Sequence, residues 1–272
     1  MQMKTPDERR KQFRKLHESG CFLLPNPWDV GSARLLAGLG FQALATTSSG
    51  FAWSNGTPDN QVSLEPVLNH LREICDAVDV PVNADFEGGF AVQPDDVFTN
   101  VMRATGAGVA GISIEDSTGN ADDPLFEFGL SVQRMHAARQ AIAESALDVV
   151  LTGRSEGFIV NRPDLRETIR RLSAYADAGA DCLYAPGIKS LADIKTVVTE
   201  LAPKPINVLV NSNFTTVKAL ADIGVRRISV GGALARTAYG ALVSAAQEIL
   251  TVGSFDGLAA RTPATDFDTL FG

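Results

Sequence analysis

Asp85 and Glu87 stand one residue apart at the end of an apolar run, VPVNADF (80–86), and Gly88 and Gly89 follow directly. Other apolar runs end the same way. ALATTSS (43–49) ends in Ser48 and Ser49, before Gly50 and Phe51. GISIEDS (111–117) carries Glu115 and Asp116, DVVLTGRSE (148–156) carries Arg154 and Glu156, and INVLVN (206–211) ends in Asn211. Strand residues two apart share a face, so Asp85 and Glu87 are expected to turn the same way, with Glu115 joining from a neighbouring strand. Carboxylates this close repel and take up protons unless a cation shares them. An all-oxygen set without His or Cys suits a hard ion, Mg2+ or Mn2+. Arg154 supplies a planar positive charge matched to a carboxylate or phosphonate. Gly88 and Gly89 allow a sharp turn after the acids.

These residues need elements that bring strand ends together. Eight short apolar runs alternate with segments of helical period, from FLLPN (22–26) to RISVGG (227–232). Several helical segments end in glycine, at Gly40, Gly106, Gly179 and Gly224, where a left-handed residue stops a helix. Runs buried on both faces and separated by helices imply parallel strands, and eight such units close most simply into a (β/α)8 TIM barrel. An open doubly wound sheet would need a glycine-rich dinucleotide turn after the first strand, and LPNPWDVGSA is not one. Residues 1–272 are therefore read as a single (β/α)8 barrel domain, with an N-terminal helix in 1–20 and an irregular tail, 251–272. That tail holds Phe255, Phe267, Leu270 and Phe271, which an irregular backbone would not bury alone. In a parallel barrel the strand C-termini form the site, and the polar residues above cluster there. Trp28, after the first strand, is placed to wall the pocket. His17, His70 and His136 fall on helical segments and read as surface or capping groups. Gly231 and Gly232 fit either a backbone phosphate cradle or a close helix–strand junction.

Composition narrows the function. The net charge is −8, which disfavours nucleic acid and anionic membrane surfaces as partners. No apolar run approaches the ~18 residues of a membrane span, and the polar start has no signal-peptide core. The three scattered cysteines, Cys21, Cys75 and Cys182, point to a reducing cytoplasm and to buried filler, not a disulfide framework.

The stretches NPWDVGSARLLAGLGFQALATTSSG, NADFEGGF, GISIEDS, TGRSEGFI and VNSNF, in this order and spacing, resemble the phosphoenolpyruvate mutase/isocitrate lyase superfamily over nearly the whole chain. The resemblance implies a Mg2+-dependent barrel that makes or breaks a C–C or P–C bond next to an enolate-like pyruvyl group. It implies that Asp85 holds the metal directly, and Glu87 and Glu115 directly or through water. Asp59 would complete the metal shell or sit by the reacting group. Ser49, Gly50 and Phe51 would take the substrate carboxylate, Arg154 would grip a substrate oxygen, and Asn211 would lie near the distal group. It also implies a homo-oligomer, most simply a tetramer that exchanges its last helix. The loop after strand four, STGNADDPLFEFGLS (117–131), lacks the Lys-x-Cys-Gly-His of the lyases. No general acid is evident in it, and it is expected to close as a lid. Its acids, Asp122, Asp123 and Glu127, favour an oxaloacetate-like acid over a phosphonate. The expected activity is a lyase or decarboxylase acting on a small keto acid. P–C mutase or hydrolase chemistry, or oxyacid binding without turnover, are the alternatives.

Overall fold

A computed structural model describes residues 3–261 and 266–271. Eight parallel strands, β1 (Phe22–Leu24), β2 (Leu44–Ala45), β3 (Val82–Asp85), β4 (Gly111–Glu115), β5 (Val150–Arg154), β6 (Cys182–Tyr184), β7 (Ile206–Leu209) and β8 (Arg227–Ser229), pair in the order β1-β8-β7-β6-β5-β4-β3-β2. With the helices between them they form a nearly closed, single-domain (β/α)8 barrel. Along each strand the side chains alternate. Ala84, Ile112, Ile114 and Leu151 pack outward against the helices, while Asn83, Asp85, Ser113 and Arg154 face the barrel cavity.

The seam between β1 and β2 has no continuous ladder. Ala45 N–H donates to the Pro25 carbonyl at 3.0 Å, and Asn26 does the rest. Its Nδ2 donates to the Thr46 carbonyl at 2.9 Å, while its Oδ1 accepts from Val230 and Gly231 N–H at 2.9 and 2.8 Å. One buried amide thus ties the ends of β1, β2 and β8. It also occupies the Gly231 N–H, which removes that group from a phosphate cradle. Gly232 is explained by a close approach, since a Cβ there would lie 2.6 Å from Ser49 Oγ.

The N-terminal end is plugged by α1 (Pro6–Leu16), begun by a Thr5–Glu8 capping box. Phe13 is fully buried and meets His17 and Phe22 edge-on, with ring centroids 4.7 and 6.2 Å away. The remaining helices are α2 (Val30–Gly38), α3 (Ser48–Ser54), α4 (Leu64–Ala77), α5 (Pro94–Thr105), α6 (Phe128–Glu144), α7 (Leu165–Asp177), α8 (Leu191–Glu200), α9 (Val217–Asp222), α10 (Ala233–Thr251), α11 (Asp256–Arg261) and α12 (Phe267–Phe271).

Several expectations change. The run 43–49 is not all strand: Thr47 caps Gly50 N–H at 3.4 Å and starts α3, so Ser49, Gly50 and Phe51 are helical. The tail is not wholly irregular, since α11 and α12 interrupt it, and Phe255, Phe267 and Phe271 stay exposed. The Leu270 side chain lies outside the described residues. Gly106 is right-handed, and Gly108, at φ +91°, makes the turn expected of it. His70 is buried, stacked on Phe51 with centroids 3.8 Å apart, and His17 is enclosed at the foot of the barrel.

Candidate active site

Asp85 closes β3, and its carboxylate is held from two sides. Oδ2 accepts the Ser48 N–H at 3.0 Å, and Oδ1 accepts from Arg154 Nη1 at 3.1 Å. Its own N–H donates to Thr46 Oγ1 at 3.0 Å. Glu115 ends β4 in register with Arg154 on β5, and the same Nη1 lies 3.0 Å from its Oε2. Glu156 binds Arg154 Nε. One guanidinium therefore faces three carboxylates. Burial opposes the charge on Arg154, yet Glu115, Glu156 and Asp85 hold it protonated well above its usual range. Burial raises the Glu115 and Glu156 carboxyls; Arg154 pulls both back, and their acid neighbours push them further up. The mouth carries surplus negative charge.

Glu87 arrives differently from the expectation. β3 stops at Asp85, and Glu87 sits in a turn at φ +46°, so strand alternation does not aim it. Its carbonyl accepts the Glu115 N–H at 3.0 Å. Burial, then Asp85 and Asp59, push its carboxyl up to about 8. Burial and Asp85 raise Asp59 as well. Gly88 is small because a Cβ would meet Arg134 Nη2 at 3.1 Å, and Gly89 is left-handed at φ +75°. Arg134 binds the Gly88, Ala91 and Val92 carbonyls and lies 3.9 Å above the Phe126 ring. It thus ties the turn after β3 to the loop after β4.

Asp116, which looked like a further acid at the mouth, points into the wall. It accepts from Tyr175 Oη and Glu156 N–H at 2.7 Å each and from Arg171 at 3.2 Å. The loop after β4 is also shorter than expected. Glu127 caps α6, so Ser131 is helical, and Phe126 N–H and Thr118 N–H anchor the base at 2.9 and 3.0 Å. Only residues 119–123 stand out as an exposed tip.

A cavity of about 640 Å³ opens over Asp85 and Arg154, and Asp59, Ser49, Asn211 and Tyr184 line it. A second, of about 620 Å³, lies under the loop after β4 and shares Ser48, Asp59 and Arg154 with the first. Glu115 lines the second, and Glu87 borders a small recess with Asp85. Gly50 and Phe51 line neither large cavity. Their N–H groups are taken by Thr47, and Trp28 packs on Gly50 and 6.5 Å from the Tyr239 ring. Asn26, Thr46 and Tyr184 are site residues that the run-end pattern did not single out. All but Tyr184 lie next to run ends already noted, but as neutral groups they gave no charge signal.

Among the described residues no three His, Cys, Asp or Glu side chains form a cage able to hold an ion. The donors that converge are oxygens with excess negative charge. This set fits a hard divalent ion that touches Asp85 and reaches the other acids through water, not one gripped by three carboxylates.

Stability of the metal-free protein is expected to fall as pH rises from about 5 to about 8. With its carboxyl pushed up to about 8, folded Glu87 keeps a proton that the unfolded chain has released. Stability therefore declines between the unfolded and folded values. Mg2+ should restore roughly 5 °C at pH ~8 and little at pH ~5. Calorimetry that shows equal Mg2+ effects at both pH values would contradict this.

The residues 13–250 match the phosphoenolpyruvate phosphomutase family. A provisionally named lyase/mutase from Burkholderia cenocepacia J2315 superposes with a TM-score of 0.94 at 43% identity, covering 98% of this chain and 97% of that one. Oxaloacetate acetylhydrolase in complex with oxalate superposes with a TM-score of 0.87 at 26% identity, over 99% and 96% of the two chains. Oxaloacetate decarboxylase from Pseudomonas entomophila (strain L48) is 28% identical over 250 residues, 89% of this chain and 83% of its own. With this barrel, this acid–arginine mouth and these relatives, the chain belongs to the phosphoenolpyruvate phosphomutase family and is a lyase/mutase-type enzyme of the phosphoenolpyruvate mutase/isocitrate lyase superfamily.

Proposed function

We propose that the protein is a Mg2+-dependent lyase of decarboxylase type. It cleaves the bond between C3 and the C4 carboxylate of an oxaloacetate-like acid, so that CO2 leaves and the bonding electrons form a pyruvate enolate, which takes up a proton to give pyruvate. The observation that carries this reading is Arg154, set 3.1 and 3.0 Å from Asp85 and Glu115 at the mouth of an open cavity. Mg2+ would supply electrophilic stabilisation of the enolate oxygen; Asp85 would hold it, with Glu115, Glu87 and Asp59 contributing directly or through water. Ser49 lines the cavity on the side assigned to the substrate carboxylate, Asn211 on the side of the distal group. Arg154 holds a substrate oxygen by a charge that needs no reorganisation. Glu156 orients it. The relatives named for oxaloacetate chemistry support the C–C reading. Tests are simple: pyruvate should appear from oxaloacetate with Mg2+ and not with EDTA.

Oxalate, a mimic of pyruvate enolate, should bind at micromolar concentration and at least about tenfold tighter than phosphonopyruvate. The exposed tip of the loop after β4 carries Asp122 and Asp123 and gives no cation to a phosphonate. Phosphonopyruvate binding tenfold tighter would move the assignment to P–C chemistry.

The three cysteines are free, which supports a reducing cytoplasm. Among the described residues no helix is long and apolar enough to cross a membrane. We expect a homotetramer. Leu242, Val243, Leu250 and Phe255 leave an apolar face on and after α10, of the kind that subunit contacts cover. Light scattering at micromolar concentration should give four chains, and a monodisperse monomer would refute it.

A further inference from the structure

Below the acids, the barrel interior departs from the bulky branched filling usual for this architecture. Asn83, Tyr184, Asn207 and Ser229 line the lower part of the first cavity, and Arg227 forms its floor. Arg227 is only 2% exposed. Its Nε donates to Asn207 Oδ1 at 2.9 Å, and Nη1 faces His17 Nε2 at 3.4 Å. His17 Nδ1 lies 2.8 Å from the Phe13 carbonyl, so that nitrogen carries the proton and Nε2 offers its lone pair. Burial, then Arg227, push the His17 imidazole down to about 3, so it is neutral.

Neither neighbour brings negative charge, and among the described residues no carboxylate lies within 4.0 Å of the guanidinium. An arginine keeps its charge in a protein and has five N–H groups; with two partnered, three lack a protein acceptor. Arg134, by contrast, is met by the carbonyls of Gly88, Ala91 and Val92. A buried charge without a counter-charge is strongly unfavourable. Above Arg227, Ser229 Oγ accepts from Asn207 Nδ2 at 2.9 Å, and the buried Tyr184 lines the same cavity. Each hydroxyl has an O–H to offer a ligand.

We propose that the barrel interior binds a small monovalent anion, a halide or a carboxylate head group, between the Arg227 guanidinium and the Ser229 and Tyr184 hydroxyls. This site lies beneath the acid mouth and does not depend on the reaction assigned there.

The test compares melting temperature in sodium chloride, sodium formate and sodium gluconate at matched ionic strength, without substrate or Mg2+. Gluconate, a large polyhydroxy anion, is the reference. Chloride or formate should raise the melting temperature over gluconate by roughly 3 °C; chloride ahead points to a halide occupant, formate ahead to a carboxylate. Asn207→Asp places a carboxylate beside Arg227 and should abolish the difference between salts. Arg227→Met should abolish it too. Each comparison is made within one variant, so a general loss of stability does not enter. Crystals grown with bromide should show an anomalous peak beside Arg227. Equal melting in all three salts, a salt difference that survives Asn207→Asp or Arg227→Met, or a bromide-free chamber with water alone would overturn the proposal.

Discussion

Replacing Asp85 by asparagine is expected to cut turnover by about a thousandfold or more and to abolish measurable Mg2+ binding. Asparagine keeps an oxygen for the Ser48 N–H, now 3.0 Å from Oδ2, but turns an amide N–H instead of an acceptor toward Arg154. What it removes is the negative charge at the point where the acid set converges. Glu115 and Glu156 still neutralise Arg154, and the repulsion felt by Glu87 and Asp59 drops. The metal-free variant should therefore melt at or above the wild-type temperature. Titration calorimetry is the deciding measurement: unchanged Mg2+ affinity with a native circular dichroism spectrum would remove Asp85 from the metal site.

Arg154→Met is the second large effect. It leaves Asp85, Glu115 and Glu156 crowded without a cation. A broken buried pair costs about 3–5 kcal/mol, and a loss of that order is expected near pH 8. The sign follows from linkage. Without Arg154 the buried Glu115 and Glu156 carboxyls, already raised by burial, lose the charge that pulls them back and ionise in the fold only above their unfolded values. The penalty grows as pH rises from about 5 and is smallest at the acid end. Urea unfolding at pH ~5 and ~8 checks this, and an equal penalty at both would mean that packing, not charge, is what Arg154 supplies. Arg154→Lys should recover much of the stability but little of the activity, because a point charge cannot replace a planar fork that spans Asp85, Glu115 and Glu156.

The acid–arginine mouth was legible because its members end apolar runs, and the order of strands and helices brings run ends to one rim. Charge density did the rest. What was hidden depends on contacts between distant positions. Asp116 reads like Glu115 beside it, yet Tyr175 and Arg171 turn it into the wall. Glu87 reads as a strand residue in phase with Asp85, but the strand stops first and a left-handed turn places it. Ser48, Ser49 and Gly50 read as a strand end because the local pattern is apolar, whereas the Thr47 cap starts a helix there. Arg227, Asn207 and Ser229 were invisible as a group because Arg227 and Asn207 lie early in their strands, where barrel wall is the default, and because an inward face shows only once the register is known.

The amide of Asn26 has a mechanical consequence. Where the other strands share a ladder, the barrel here is buttoned by one side chain, and the button sits directly beneath Thr46, Ser48 and Ser49. The stiffness of the pocket wall is thus borrowed from a residue that lines the cavity but has no charge to offer a substrate. A barrel loosened at this point would not lose its hoop; it would gape along one stave, the stave that carries Thr46, Ser48 and Ser49.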